Sequence, residues 1–211
     1  MPTFDFEKKY KGLIAGTDEA GRGPWVGPVV AAAVCFADLK ITDTLALELN
    51  DSKKLSAKKR EKLFPLIYES GAFIGVGQAS AQEIDSMNIL QASFLAMKRA
   101  LNQIEEQGHL IDFVLVDGNR KPINWKWQTQ EIIGGDGKSL SIAAASVIAK
   151  VTRDRMLCEL AKEYPMYGWD KNAGYGTAEH IKALNEFGIT PYHRKSYAPI
   201  KALLNAKNSV R

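Results

Sequence analysis

Short apolar runs recur along the chain and predict four β-strands, at residues 12–18, 28–36, 73–77 and 113–118. Residues 127–133 look like a fifth strand, which leads into the glycines at 134 and 135. The run at 113–118 stays apolar until Asp117, which is typical of a strand that is buried on both faces. A charged turn that is rich in glycine joins the first two strands, and glycine lets the main chain approach a ligand closely.

Apolar residues at helical spacing predict helices between these strands. Ser56 is placed to cap a helix that runs to about residue 69. Ser80 and Glu83 have the spacing of a capping box, and the apolar positions after them predict one long amphipathic helix that Gly108 stops. Further helices are expected over 141–156, close against the sheet, and over 177–187, with irregular chain over 37–50.

The order of strands and helices predicts an α/β fold with helices on both faces of one sheet. With 211 residues, the chain is long enough to bury one substantial core. We expect residues 1–165 to form the sheet domain. Residues 166–211 are expected to form a small helical extension that docks on this domain, so that both parts make one folded unit.

Composition narrows the class of protein. The sequence has no run of 18 or more apolar residues, and its polar N-terminus lacks the apolar segment of a signal peptide. A cytoplasmic protein is therefore expected. The two cysteines, Cys35 and Cys158, stand in apolar surroundings and are expected to be buried free thiols.

The net charge of +4 is modest, but the basic residues are clustered. One cluster lies at 53–62, and another lies at 187–211, where five basic residues occur. Such clusters suit contacts with phosphates, although a solvated helix face has the same composition. Charge thus supports a nucleic-acid partner without establishing one.

Four carboxylates carry the chemistry that the sequence suggests. Asp18 and Glu19 lie where the first strand enters the interior, Asp117 ends a strand, and Asp136 stands among glycines. Acids gathered in one cleft repel each other unless a cation neutralises them, and carboxylate oxygens favour Mg²⁺ or Mn²⁺. Two such ions can hydrolyse a phosphodiester. The pattern also occurs in sugar kinases and related ATPases, so this alternative stays open.

The motifs of the chain resemble those of the type 2 ribonucleases H, or ribonuclease HII. The leading motif is GTDEAGRGP at 16–24. Others cover most of the chain: DSKKLS at 51–56, VDG at 116–118, GD at 135–136, AASVIAKVTRD at 144–154, GYGT at 174–177 and HRKSYAP at 193–199. Trp25 and Gly134 depart from the family pattern, but neither departure removes a proposed metal ligand.

This resemblance implies a ribonuclease H-like mixed sheet flanked by helices, with the four acids as metal ligands. The implied reaction is hydrolysis of RNA in RNA–DNA hybrids and incision 5′ to single ribonucleotides in duplex DNA. It leaves 3′-hydroxyl and 5′-phosphate ends.

The resemblance also implies roles for residues that bind the substrate. Gly21, Arg22 and Gly23 would read the 2′-hydroxyl through the backbone, and Tyr175 would stack at the RNA-to-DNA junction. Lys53, Lys54 and Arg194 would contact the nucleic-acid backbone.

Several alternatives stay open. The type 3 enzymes share these acids, but the early position of the first strand favours type 2. A non-catalytic module that binds hybrids is disfavoured because all four acids are present. Asp154 is the fallback for Asp136 as the fourth acid. A monomer is expected; the preferred metal, the order of the basic tail and binding to a replication clamp are left open.

Overall fold

The core of the protein is a mixed five-stranded sheet in the order β3-β2-β1-β4-β5. The structure, a computed structural model, describes residues 1–50 and 52–208, without the side chains of the last two. Strands β1, β2 and β3 are antiparallel neighbours, whereas β4 and β5 run parallel to β1. All five predicted strands are confirmed: β1 (Ile14–Ala20), β2 (Val29–Cys35), β3 (Phe73–Ala79), β4 (Phe113–Asp117) and β5 (Gln128–Ile132).

Helices cover both faces of this sheet, as the sequence predicts. In chain order they are α1 (Asp43–Glu48), α2 (Ala57–Glu69), α3 (Ala81–Met87), α4 (Ile89–Glu106), α5 (Leu140–Glu163), α6 (Trp169–Asn172), α7 (Ala178–Phe187) and α8 (Ala198–Asn208). Ser56 caps α2, and the capping box of Ser80 and Glu83 begins α3. None of the helices in the described ranges is long and apolar enough to cross a membrane.

Strand β2 shows why two layers of helix are needed. All seven of its residues are buried, and they alternate between the two faces of the sheet. Ala31 and Ala33 belong to the core under α4, whereas Ala32 and Val34 belong to the core under α2 and α5. Both faces are therefore apolar, as the continuous run of apolar residues requires.

Three details differ from the sequence prediction. The expected single helix after Ser80 is broken at Asn88, whose φ of 72° ends α3 and whose side chain caps α4 by accepting from Leu90 N and Gln91 N. The stretch at 37–50, expected to be irregular, contains α1, which Thr42 caps. Cys35 is buried as expected, but Cys158 is exposed because it lies on the outer face of α5.

The C-terminal helices pack on the far half of α5. Their apolar cluster joins Leu157 of α5 to Trp169, Leu184 and Ile200, all almost fully buried. An antiparallel bridge between Val26 and His193 ties this region to the turn after β1. The C-terminal extension thus packs on α5 beside the sheet. The domain boundary at residue 165 stays a prediction.

Candidate active site

Strand register brings three of the predicted acids to one edge of the sheet. Thr17 of β1 pairs with Val116 of β4, so Asp18 and Asp117 follow on neighbouring parallel strands. Asp136 lies in a short 3-10 helix (Gly135–Gly137) just after β5. Carboxylate oxygens of Asp18, Asp117 and Asp136 all lie within 4.8 Å of one another.

Backbone amides hold two of these carboxylates in place. One oxygen of Asp18 accepts from the N–H of Glu19 at 2.7 Å, and one oxygen of Asp117 accepts from the N–H of Gly135 at 2.7 Å. Gly135 also lies close to Ile142 and Asp117, because a Cβ there would stand 2.6 Å from the Ile142 side chain. The turn after β5 is therefore fitted tightly against β4 and α5.

The cluster is electrostatically costly without a cation. Burial, then the charges of Glu19 and Asp117, raise the pKa of Asp18 well above its ordinary value. Burial and like charge both oppose ionisation, so the carboxylates would gain from a cation among them. A hard divalent ion suits a group of carboxylate oxygens, and the three residues therefore fit such an ion.

Glu19 borders this cluster and faces another partner. Its carboxylate lies 3.2 Å from the guanidinium of Arg22. Burial raises the pKa of Glu19, while the charges of Arg22 and of Lys53 act in the opposite direction. The three-carboxylate group does not include Glu19, so its role as a metal ligand stays a prediction.

Asp154, the fallback for the fourth acid, lies away from this group. It is on α5, where it pairs with Lys150 at 2.7 Å and lies 3.9 Å from Arg60. Lys150 stands four residues before Asp154, so this is an ordinary ion pair within one helix. The geometry therefore favours Asp136 over Asp154.

The predicted substrate-reading residues lie together beside the acids. Gly21, Arg22 and Gly23 form a turn, called here the 21–23 turn, directly after β1; Gly21 is partly buried, and Arg22 and Gly23 are exposed. A Cβ on Gly23 would stand 3.3 Å from the ring of Tyr175, whose side chain is about half exposed. Trp25 N donates to Gly174 O at 2.9 Å and joins the two loops.

Lys53 and Lys54 are exposed in the segment that leads into α2. Asp51, the first residue of their motif, lies outside the described residues. Arg60 of α2 supports the segment by donating to the carbonyls of Ser52 and Leu55 at 2.8 and 2.6 Å. The charge of Lys53 acts to lower the pKa of Glu19, and a contact of Lys53 or Lys54 with a phosphate stays a prediction.

Arg194 is placed differently from the other basic residues that were predicted to contact substrate. It is fully buried, and its guanidinium donates to main-chain carbonyls of the turn after β1. A direct contact with phosphate stays a prediction. The position shown is one that supports the 21–23 turn from within.

The sequence patterns did not single out Arg153. Its guanidinium is buried and donates to the carbonyls of Val26, Pro28 and Ala173 at 3.0 to 3.1 Å. Helical spacing carried the signal, because Arg153 follows Ala149 by four residues and precedes Leu157 by four. All three therefore lie on the buried face of α5.

Comparisons with known proteins agree with this geometry. The family model described as Ribonuclease HII matches residues 15–200. A ribonuclease HII of Wolbachia pipientis (subsp. Culex pipiens) is 52% identical over 202 residues, covering 96% of this chain and 98% of the relative. Another ribonuclease HII, from Magnetococcus marinus, is 56% identical over 192 residues, covering 90% of this chain and 87% of that relative.

A solved structure supports the fold. The crystal structure of the ribonuclease H2 from Pyrococcus horikoshii OT3 is similar with a TM-score of 0.73 and 27% sequence identity. The match covers 93% of this chain and 99% of that one. The likeness thus extends over the sheet and the C-terminal helices.

Proposed function

Because the chain belongs to the ribonuclease HII family and is thus an endonuclease of the ribonuclease H type, we propose its substrates as follows. It hydrolyses the RNA strand of RNA–DNA hybrids, and it incises duplex DNA on the 5′ side of a single ribonucleotide. The observation that carries the proposal is the meeting of Asp18, Asp117 and Asp136 within 4.8 Å, next to the 21–23 turn. Catalytic and substrate-reading groups are then adjacent.

The carboxylates would hold Mg²⁺ or Mn²⁺, with Glu19 completing the set. Two such ions, when bound, would activate the attacking water and stabilise the leaving 3′ oxygen, so the products carry 3′-hydroxyl and 5′-phosphate ends. The chain itself contributes orientation. The N–H groups of Glu19 and Gly135 fix one oxygen each of Asp18 and Asp117, so these carboxylates are oriented in advance.

Substrate choice would come from the groups around the acids. The exposed backbone of the 21–23 turn suits a hydroxyl in a minor groove, and the 2′-hydroxyl is the group that distinguishes RNA from DNA. The ring of Tyr175 lies against Gly23 and offers a stacking surface there. Lys53 and Lys54 would contact phosphates without reading sequence.

Family membership sets aside the two alternatives. A kinase or ATPase would belong to another branch of the same fold, and a module that only binds hybrids would not need the clustered carboxylates. Location in the cytoplasm and action as a monomer stay predictions.

The decisive test is cleavage of three labelled duplexes side by side: an RNA–DNA hybrid, a DNA duplex with one ribonucleotide, and an all-RNA duplex. We expect incision of the first two with Mg²⁺ or Mn²⁺, at the 5′ side of the ribonucleotide in the second. Asp117→Asn keeps the shape of the side chain and an oxygen for the N–H of Gly135 but removes the charge. It should lower cleavage by roughly 1000-fold or more while binding stays measurable.

A matched control is Asp38→Asn. Asp38 is an exposed acid after β2, at the end of the sheet opposite the cluster, because Cys35 pairs with Ala15 at the start of β1. The control should cleave like the wild type. No incision by the wild type at the single ribonucleotide would overturn the proposal, and full activity of Asp117→Asn would remove that residue from the catalytic set.

A further inference from the structure

The 21–23 turn rests on a buried cation that has no acidic partner at salt-bridge distance among the described residues. The guanidinium of Arg194 donates to Gly21 O at 2.6 Å, to Arg22 O at 3.0 Å and to Gly27 O at 3.0 Å. It also donates to the hydroxyl of Tyr197 at 2.9 Å. A buried charge is costly, and these donations to carbonyls offset that cost.

Asp85, an acid whose charge acts on Arg194, is engaged by other groups. The carboxylate of Asp85 accepts from the N–H groups of Lys195 and Ser196 at 2.9 and 2.8 Å. It thereby fixes the main chain on which Arg194 stands. The guanidinium itself is directed at the turn, so its charge acts on the carbonyls of Gly21, Arg22 and Gly27.

These contacts determine which way two peptide groups face. In a planar trans peptide the C=O of one residue and the N–H of the next point in opposite directions, and the described chain has no cis peptide. With Gly21 O and Arg22 O turned toward Arg194, the N–H groups of Arg22 and Gly23 point away from it. Within the described residues neither N–H has a hydrogen-bond partner, and both residues are exposed.

Two further groups prevent the turn from shifting. Gly21 has a φ of 96°, and a Cβ there would stand 2.0 Å from Nε of Arg153, so this second buried guanidinium lies directly behind the turn. Tyr197 donates its hydroxyl hydrogen to Arg22 O and thus shares that carbonyl with Arg194. The carbonyls of Gly21 and Arg22 are therefore both engaged by the protein.

We infer that Arg194 is a positioning residue that sets the direction of the peptide groups in the 21–23 turn and thereby the preference for a ribonucleotide over a deoxyribonucleotide. This inference rests on the proposed function. The two outward N–H groups offer donors to a 2′-hydroxyl oxygen. A flipped peptide would present a carbonyl oxygen in place of one N–H. The site would then lose a hydrogen-bond donor to the oxygen of the 2′-hydroxyl.

The test measures preference for the ribonucleotide apart from cleavage rate. In the Asp117→Asn background, affinity is measured for a DNA duplex with one ribonucleotide and for the same duplex without it. Arg194→Lys keeps the positive charge but loses the planar set of donors that reaches three carbonyls. The ratio of the two affinities should fall roughly tenfold, the factor expected for about one discriminating hydrogen bond, while binding of all-DNA duplex stays unchanged.

Tyr197→Phe covers the case in which Arg194→Lys does not fold. It keeps the ring and Arg194 but removes the hydroxyl that donates to Arg22 O, so it should lower the ratio by a smaller factor. Arg155→Lys is the matched control. Arg155 is an exposed arginine of α5 that pairs with Glu61, and its replacement should leave the ratio as in the parent.

The outcomes separate this inference from the proposed function. If the parent binds both duplexes equally and the wild type does not incise at the ribonucleotide, the proposed function fails. If the parent prefers the ribonucleotide and folded Arg194→Lys keeps the full preference, only the role of Arg194 is overturned. A lower ratio in Arg194→Lys, with the control unchanged, supports it. Tyr197→Phe decides in the same way if Arg194→Lys does not fold.

Discussion

At the scale of single residues, a chain of hydrogen bonds assigns the tautomers of two buried histidines. The N–H of Thr190 donates to Nδ1 of His193 at 2.9 Å, so the neutral ring carries its proton on Nε2. That nitrogen donates to Nε2 of His180 at 3.1 Å, and Nδ1 of His180 donates to Tyr175 O at 2.9 Å. Trp169 also donates to Nε2 of His180, as this assignment requires. A further proton on either ring would face an N–H donor, so this chain of hydrogen bonds is complete only while both rings are neutral.

This pair should make stability depend on pH. Burial, then the charge that His180 would carry, lower the pKa of His193 to about 4, against an ordinary value of 6.5. The contribution of neutral His193 to the free energy of unfolding is fully present above pH 6.5. This contribution is lost between pH 6.5 and 4, because His193 takes up a proton in the unfolded chain but not in the folded chain. From His193 alone, the free energy of unfolding should fall by about 3 kcal/mol over that range.

Urea unfolding between pH 8 and pH 4 checks this prediction. His193→Gln should be less stable at pH 8 but should show a flatter dependence on pH below 6.5. His109→Gln is the control, because His109 lies elsewhere, stacked on Phe73, and this variant should keep the wild-type slope. Equal slopes for wild type and His193→Gln would contradict the assigned role of the pair.

At the scale of elements, α5 sets the position of β1. A Cβ on Gly16 would stand 2.4 Å from the backbone of Ser141 and of Ile142 at the start of α5. The helix and the strand thus meet main chain against main chain, two residues before Asp18. The alanine-rich face of α5 continues this close packing along the sheet.

Gly16→Ala should therefore destabilise the protein by about 3 kcal/mol, because backbone must move to admit the methyl group. Thermal or urea unfolding measures the change. Gly137→Ala is the matched control, since a Cβ at Gly137 meets no atom within 4 Å and its φ is not in the left-handed region. If Gly16→Ala lost no more stability than the control, α5 would be free to shift away from β1.

At the scale of the whole molecule, the acidic cluster unites three segments that lie far apart in the chain. Asp18 comes from β1, Asp117 from β4 and Asp136 from the turn after β5. Their mutual repulsion destabilises the folded protein when no cation is bound, and a bound cation stabilises only the folded state. Metal should therefore raise the melting temperature.

Melting in the presence of a chelator, Mg²⁺ or Mn²⁺ tests this expectation and identifies the fourth acid. Saturating metal should raise the wild-type melting temperature by about 5 °C or more. Asp136→Asn should lose most of that rise in melting temperature. In chelator this variant should melt no lower than the wild type, because one of the repelling charges is gone. Asp154→Asn should keep the rise, since its partner is Lys150. The reverse pattern would make Asp154 the ligand.

The sequence by itself determined the strands and the chemistry of the site. Runs of apolar residues long enough for a strand leave few other structures, and four of the five strands lie where such runs predict. The fifth, β5, is mostly polar but also lies where a strand was predicted. Carboxylates at strand ends are costly without a function, so Asp18, Asp117 and Asp136 could be selected before any geometry was known. Their convergence follows from the parallel register of β1 and β4.

Only the tertiary structure decided the direction of the long charged side chains. Helical spacing places Arg153 on the buried face of α5, but no sequence pattern shows which main-chain carbonyls a buried arginine contacts, because that depends on loops packing together across the fold. Arg194 has no such spacing and faces the carbonyls of the turn after β1, and Glu19 turns to Arg22. The break at Asn88 was also not predicted, because the apolar spacing continues through it while the φ of 72° at Asn88 ends α3 and its side chain caps α4.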